Sequence, residues 1–186
     1  MTVLVLGLLL FLLPHLAVGT RLAQRAKVRL GASAYRLGFS LIALLALGLM
    51  IYGMSSAPFV ALWQPMVWAQ HLAPLLMLLA CYLLLLSQLG GALCRYSAHP
   101  MSLAVALWAV AHLLANGDLA SVLLFASFAG FALLAIAKQY RRGVRPQPRV
   151  GRLGRRHEVW LALLTLVLFG SLVWLHPWLM GGPVGL

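Results

Sequence analysis

The chain has 186 residues, of which 63% are hydrophobic and only 9% are charged, whereas a soluble domain carries roughly 25% charged residues. The mean hydropathy of +0.99 and the recurring apolar runs of about 18 or more residues exclude a soluble globular protein and predict membrane-spanning helices. The 14 Lys and Arg face only 2 Asp and Glu, and the basic residues lie between the apolar runs. They therefore indicate membrane topology and contact with anionic lipid, and not nucleic-acid binding. The runs are continuously apolar and do not alternate, which excludes a β-barrel.

Six apolar segments are predicted as membrane spans. The first, residues 2–19, has no Lys or Arg ahead of its apolar run, so it lacks the basic start of a signal peptide and is expected to be a retained helix. Residues 20–36 carry five basic residues at spacings that predict an amphipathic helix on the membrane surface. The other spans cover residues 37–56, 70–91, 100–116, 119–138 and 159–177.

The connections between the spans carry most of the polar features. Residues 57–69 contain no charge, and their Trp63 and Trp68 are typical of a membrane interface. Pro100 suits the first turn of the fourth span, where its missing N–H costs nothing. Asp118 suits the N-cap of the fifth, because a carboxylate there accepts free helix N–H groups.

The turn Asn116-Gly117-Asp118 separates the fourth and fifth spans. Without it, these spans would form one crossing of roughly 57 Å at 1.5 Å per residue, far longer than a bilayer core of about 30 Å. The sequence therefore predicts a helical hairpin at this turn.

The basic residues predict the orientation of the six spans. The connections between spans 1–2, 3–4 and 5–6 hold 5, 1 and 8 basic residues, which together are all 14. Because basic loops stay in the cytoplasm, both termini are expected outside it. The predicted fold is thus an all-α polytopic membrane protein with six transmembrane helices, in a single transmembrane domain over residues 1–186.

The two cysteines offer no metal or disulfide motif. Cys81 should lie inside the third span and Cys94 near its end, and the two form no CxxC pair. Neither a disulfide framework nor a zinc site is expected.

Histidines are the residues that suggest chemistry. Five of the six lie in or at the ends of predicted spans, and His157, in the basic loop, is expected to be solvated. Ionisable groups at membrane depth indicate function, although a neutral imidazole can also simply hydrogen-bond across helices. The five are His15, His71, His99, His112 and His176.

With only two acidic residues, hydrolytic dyads and carboxylate metal clusters are disfavoured. Imidazoles from facing helices suit haem iron instead. Aromatic and aliphatic side chains would pack the porphyrin, and basic residues at the cytoplasmic face would pair with its propionates.

Depth in the membrane and helix faces suggest which histidines could act together. Depth alone pairs His71 with His112, and His15 with His99. His112 shares one face of the fourth span with Trp108 and Asn116, at helix-neighbour spacing. His99 precedes His112 on the same span by a rotation of about 140°, so the two cannot serve one site from one face.

The segment ALWAVAHLLANGDLASVLLF, residues 106–125, resembles the core signature of the NnrU membrane proteins, bacterial proteins associated with denitrification. That family is similar to the zeta-carotene isomerases of plants and cyanobacteria, which are integral membrane enzymes with haem b. The resemblance extends over nearly the whole chain. Its further matches are His15, Leu62-Trp63 followed by His71, Ala98-His99-Pro100, and residues 175–183.

The resemblance implies that His15 and His112 are haem ligands. His71 is the alternative partner of His112, and Trp108 and His99 complete the candidate cofactor-binding residues. The chain departs from the family pattern at Ala109, where the isomerases carry a cysteine thought to exchange with the histidine, and at Ala98, where an arginine usually precedes His-Pro.

Three functions follow as hypotheses. The resemblance implies a haem-dependent isomerase of a polyene or related redox chemistry, acting on a hydrophobic small molecule in the bacterial inner membrane. It equally allows a non-enzymatic accessory or transport protein of nitrogen-oxide metabolism. A methyltransferase of the isoprenylcysteine type is disfavoured, because those enzymes carry acidic and aromatic residues near a cytoplasmic C-terminal region, whereas this chain has almost no acids.

Overall fold

The computed structural model describes residues 1–144 and 154–180, and most of this chain is helical. Each of the six predicted spans coincides with an α-helix, so the predicted all-α fold class is confirmed. A short 3-10 helix, Ala92–Arg95, follows the fourth α-helix. The α-helices of the described ranges are α1 (Thr2–Ala17), α2 (Arg21–Leu30), α3 (Ala32–Ser55), α4 (Val67–Leu89), α5 (Pro100–Ala115), α6 (Leu119–Arg141) and α7 (Arg155–Met180).

Within the described ranges, four helices are long and apolar enough to cross a membrane, namely α3, α4, α6 and α7. The pair α1 and α2, bent by 90°, passes the same test together as a fifth. α5 has 16 residues, fewer than the roughly 20 that a bilayer core requires. A helical protein with several helices that could span a membrane is therefore confirmed, whereas the count of six spans and the outward termini stay predictions.

The long helices expose large apolar side chains, as expected for contact with lipid. Leu44 of α3 is 66% exposed and Val167 of α7 is also 66% exposed. In water such surfaces would be unfavourable, but lipid tails are as apolar as leucine. The lipid bilayer is thus the natural surrounding of these helices.

The chain forms two compact units, Met1–Val60 and Ala61–Leu186, and the single transmembrane domain stays a prediction. In the first unit, α2 confirms the predicted helix within the basic segment. It begins at Thr20, whose side-chain oxygen accepts the N–H of Ala23 at 3.4 Å, and ends at Gly31, whose φ of +82° breaks the helix. α2 buries no residue, and its position on the membrane surface stays a prediction.

Small residues allow α1 and α3 to pack closely. A Cβ atom on Gly53 would lie 2.5 Å from the backbone nitrogen of Leu4, and one on Gly7 would lie 2.9 Å from the backbone nitrogen of Met50. Leu4 and Ala46 have no exposed surface. Lipid gives helices little hydrophobic reason to associate, so this close contact between glycine and backbone is what stabilises the pair.

Replacing Gly53 with alanine is expected to destabilise the first unit by about 1–3 kcal/mol, because the added methyl group meets backbone and not a flexible side chain. Thermal unfolding in detergent measures this. The matched control is Gly48→Ala on the same helix, where an added Cβ meets no atom within 4 Å. The control should gain up to about 1 kcal/mol, since glycine inside a helix costs that much relative to alanine. Equal melting of the two variants would contradict this packing.

In the second unit, α4 packs against α5 and α7, and α5 packs against α6. A buried cluster formed by Leu83, Leu86, Ala104 and Leu161 joins α4, α5 and α7. Both cysteines are free thiols, Cys81 buried in α4 and Cys94 in the 3-10 helix. The second unit is thus a set of packed helices that share a buried apolar cluster.

Hydrogen bonds at one end of the second unit join the end of α4 to the start of α7. The N–H of Ala92 donates to Oε1 of Glu158 at 2.8 Å, and Nε2 of His157 donates to the carbonyl of Gly90 at 3.1 Å. The prediction that His157 is solvated is therefore wrong. The chain leaves α4 at Gly90 with φ of +75°, so that residue's carbonyl needs a donor from outside the helix.

Candidate functional site

The turn between α5 and α6 is held by its own side chains. Nδ2 of Asn116 donates to the carbonyl of His112 at 2.8 Å. The carboxylate of Asp118 accepts the N–H of Ser121 at 2.9 Å, which confirms the predicted N-cap. The predicted hairpin is confirmed, and its polar side chains stabilise helix ends.

Gly117 in the middle of this turn also holds a distant segment of the chain. Its carbonyl accepts N–H groups from Leu62 at 2.7 Å and from Trp63 at 3.1 Å, and Ala61 forms an antiparallel bridge with Asp118. Gly117 is buried, and a Cβ there would collide with the carbonyl oxygen of Trp63. From the sequence, Trp63 was predicted only to lie at the membrane interface, and this pairing was not predicted.

His112 lies one turn before the end of α5 with its imidazole fixed in orientation. Its Nδ1 lies 2.8 Å from the carbonyl oxygen of Trp108. A carbonyl only accepts, so Nδ1 carries the proton and Nε2 of the neutral ring keeps its lone pair. His112 therefore presents one nitrogen able to bind a metal ion or to accept a proton.

Aromatic rings surround His112. Phe125 of α6 stacks on it with ring centres 4.3 Å apart. Trp108 lies 5.3 Å away and packs edge-on against Phe125 at 5.0 Å and Phe128 at 5.3 Å. We call Trp108, His112, Phe125, Phe128 and His176 the His112 cluster. The sequence placed Trp108 on this face, but it did not select the two phenylalanines of α6.

His176 of α7 is the second imidazole of the cluster. Its ring centre lies 6.3 Å from that of His112, with 27° between the ring planes. Its Nδ1 is buried without a hydrogen-bond partner among the described residues. An unpaired buried polar group costs about 1–3 kcal/mol. The sequence named His176 among the five histidines at predicted spans, but no pattern selected it as a neighbour of His112.

His15 lies in the first unit, in a local arrangement much like that of His112. Its Nδ1 donates to the carbonyl of Phe11 four residues earlier at 2.6 Å. Its ring stacks on Phe11 at 4.1 Å and lies 4.7 Å from Phe39 of α3. Both histidines that the resemblance singles out thus use Nδ1 as a donor to their own helix and pack against phenylalanine.

His71 and His99, the remaining predicted site residues, have different surroundings. His71 lies in the second turn of α4 with an exposed side chain. His99 precedes α5, and its Nδ1 donates to Oε1 of Gln139 at 2.7 Å. His99 and His112 lie at opposite ends of α5, about 20 Å apart along the helix axis. The structure therefore places His176 beside His112 and His99 at the far end of α5, whereas the pairing of His71 with His112 stays a prediction.

The basic residues of α6 lie far from the His112 cluster. Lys138 follows Phe125 by 13 residues on α6, which is about 20 Å along the axis. The expectation that basic residues at the cytoplasmic face would pair with haem propionates stays a prediction. Arg145, Arg149 and Arg152 lie outside the described residues.

The donor set of this site is limited to imidazole. Within the described chain, no group of three or more His, Cys, Asp or Glu side chains could hold a metal ion. Asp118 and Glu158, the only acidic residues, both accept backbone N–H groups. Asp118 and Glu158 therefore form neither a carboxylate metal centre nor an acid–base pair.

These features define a class of protein: a helical membrane protein with several spans and a histidine–aromatic cluster inside one helical unit. The model of a family described as NnrU protein matches residues 3–184. The chain thus belongs to the NnrU family. No curated protein and no solved structure shows significant similarity to the chain.

Proposed function

We propose that this protein binds haem b in the bacterial inner membrane and that His112 would hold the iron. The observation that carries the proposal is the hydrogen bond from Nδ1 of His112 to the Trp108 carbonyl. Such a bond fixes the tautomer and the orientation of a histidine that binds metal through its other nitrogen. In a helix without this anchor, the ring would rotate between staggered positions.

The residues around His112 fit a haem on two counts. First, a donor set of imidazoles without carboxylates suits haem iron better than a hard-cation or zinc centre. Second, the rings of Trp108, Phe125 and Phe128 offer apolar surface of the kind that packs a porphyrin. The buried, unpaired Nδ1 of His176 adds a polar atom that a ligand would satisfy.

The resemblance pairs His112 with His15 as the two iron ligands. The shared anchoring of both rings to a carbonyl four residues earlier supports a similar role for both. His15 and His112 belong to different compact units, and their pairing stays a prediction.

We further propose haem-dependent chemistry on a membrane-soluble polyene or related hydrophobic molecule, with cis–trans isomerisation as the leading case. When bound, haem iron supplies reversible one-electron redox chemistry. The chain's own part is to hold the iron through imidazole and to keep water out with aromatic rings. The apolar helices that surround the cluster let a lipid-dissolved substrate approach from the bilayer.

The test is to purify the protein in detergent from cells with ample haem supply and to record its absorption, oxidised and reduced. A sharp Soret band with stoichiometric haem supports the proposal. A colourless, folded protein under the same conditions would overturn it and would favour a non-enzymatic accessory or transport role in nitrogen-oxide metabolism. If haem is present, incubation with a poly-cis carotene under reducing conditions tests isomerisation, and unchanged carotene would exclude that activity.

A further inference from the structure

We infer that His176 supplies the second axial imidazole to the iron held by His112. The inference rests on the proposed haem site and names a ligand that the family resemblance does not. It arises from the position of the His176 ring, on α7, near the ring of His112, and not from any sequence motif.

The separation of the two rings suits a shared metal ion. Two imidazoles that each bind one metal through a nitrogen at about 2.0 Å have ring centres about 6 Å apart, and those of His112 and His176 are 6.3 Å apart. The ring planes differ by 27°. The two rings lie farther apart than the stacked pair of His112 and Phe125, whose ring centres are 4.3 Å apart.

The hydrogen bonding of His176 also favours this role over a structural one. A histidine that stabilises helix packing should bond to a neighbouring helix, as His99 does to Gln139 at 2.7 Å and His157 does to Gly90 at 3.1 Å. His176 instead buries its Nδ1 unpaired beside a ring whose own Nδ1 is already used. Nδ1 of His176 thus has no packing partner among the described residues, and it is the atom that His176 offers to a ligand.

His176 and His15 make competing predictions, because an iron has only one axial position opposite His112. If His176 is the second ligand, the wild-type protein has a six-coordinate, low-spin haem spectrum. His176→Ala should keep its haem through His112 but lose the low-spin bands, and added imidazole should restore them. His15→Ala should leave the low-spin spectrum unchanged.

The experiment records absorption and electron paramagnetic resonance spectra of the purified wild type, His176→Ala, His15→Ala and the control His157→Gln. The control removes an imidazole from the other end of α7, and its glutamine can still donate to Gly90. A low-spin spectrum retained in His176→Ala and lost in His15→Ala would overturn the inference while leaving the haem proposal intact. A wild type without haem would overturn both.

A second variant keeps the inference testable if His176→Ala does not fold. Methionine is a haem ligand of similar size that raises the reduction potential relative to histidine. His176→Met should therefore show a more positive midpoint potential than the wild type. An unchanged potential in this variant would show that His176 does not touch the iron.

Discussion

Replacing His112 with alanine is expected to remove bound haem almost completely from the purified protein. Removing a residue that only hydrogen-bonds to a metal ligand typically lowers metal affinity by about 10–100-fold. Removing the ligand itself should therefore lower haem affinity by more than about tenfold. The ratio of Soret absorption to protein absorption measures the effect. His112 is partly buried against Phe125 and Trp108, so a check that the variant remains folded is needed.

Two companion variants separate loss of the ligand from loss of structure. His112→Gln keeps a polar side chain of similar size but has no imidazole, and it should also lose haem while melting close to the wild type. His157→Gln removes a histidine outside the cluster and should keep its haem. Full haem in His112→Ala would show that other residues suffice to hold the iron, and His176 and His15 would then be the residues to examine.

The sequence predicted the helices well because helix formation in lipid depends on local properties. Long apolar runs must satisfy their backbone groups internally, so they become helices wherever they occur. The predicted N-cap at Asp118 and the predicted first-turn position of Pro100 are both confirmed, because each depends only on the adjacent helix. Boundaries shifted by a few residues, as at the start of α3, which begins at Ala32 and not at residue 37.

The neighbours of His112 were harder to predict because they come from other helices. A helix that is apolar on all faces gives no periodic signal for the side that packs, and α7 is such a helix. The approach of His176 to His112, 64 positions earlier in the chain, is therefore not encoded in either local pattern. Phe125 was present as the last residue of the 106–125 signature, but only the packing of α6 on α5 shows its stacking on His112.

The polar residues near the helix ends illustrate the same limit. Glu158 and His157 lie in a strongly basic stretch and looked like part of a solvated loop. Their partners at Ala92 and Gly90 lie 66 and 67 residues away. Such long-range bonds satisfy backbone groups at the end of α4. Every helix end needs such partners, but the sequence alone does not show which residues supply them.

Replacing Gly117 with alanine is expected to destabilise the second unit by about 2–4 kcal/mol, combining steric overlap with the loss of hydrogen bonds. The added Cβ would collide with the carbonyl oxygen of Trp63, which is backbone and cannot rotate away. The segment 61–63 would have to move, and the N–H groups of Leu62 and Trp63 would lose the Gly117 carbonyl. Thermal unfolding in detergent should show a lower midpoint, and limited proteolysis should cut faster within residues 57–66.

Two explanations could account for glycine at position 117: a backbone with positive φ, or the close approach of another segment. An Asn-Gly pair usually indicates a backbone with positive φ, which only glycine adopts easily. The glycines with positive φ in the described chain are Gly19, Gly31, Gly90 and Gly143, and Gly117 is not among them. Close approach of Trp63, and not backbone conformation, therefore requires glycine here. Gly130→Ala on α6, where a Cβ meets no atom within 4 Å, should melt at or above the wild-type temperature. If Gly117→Ala matched that control, the pairing of segment 61–63 with the hairpin would be wrong.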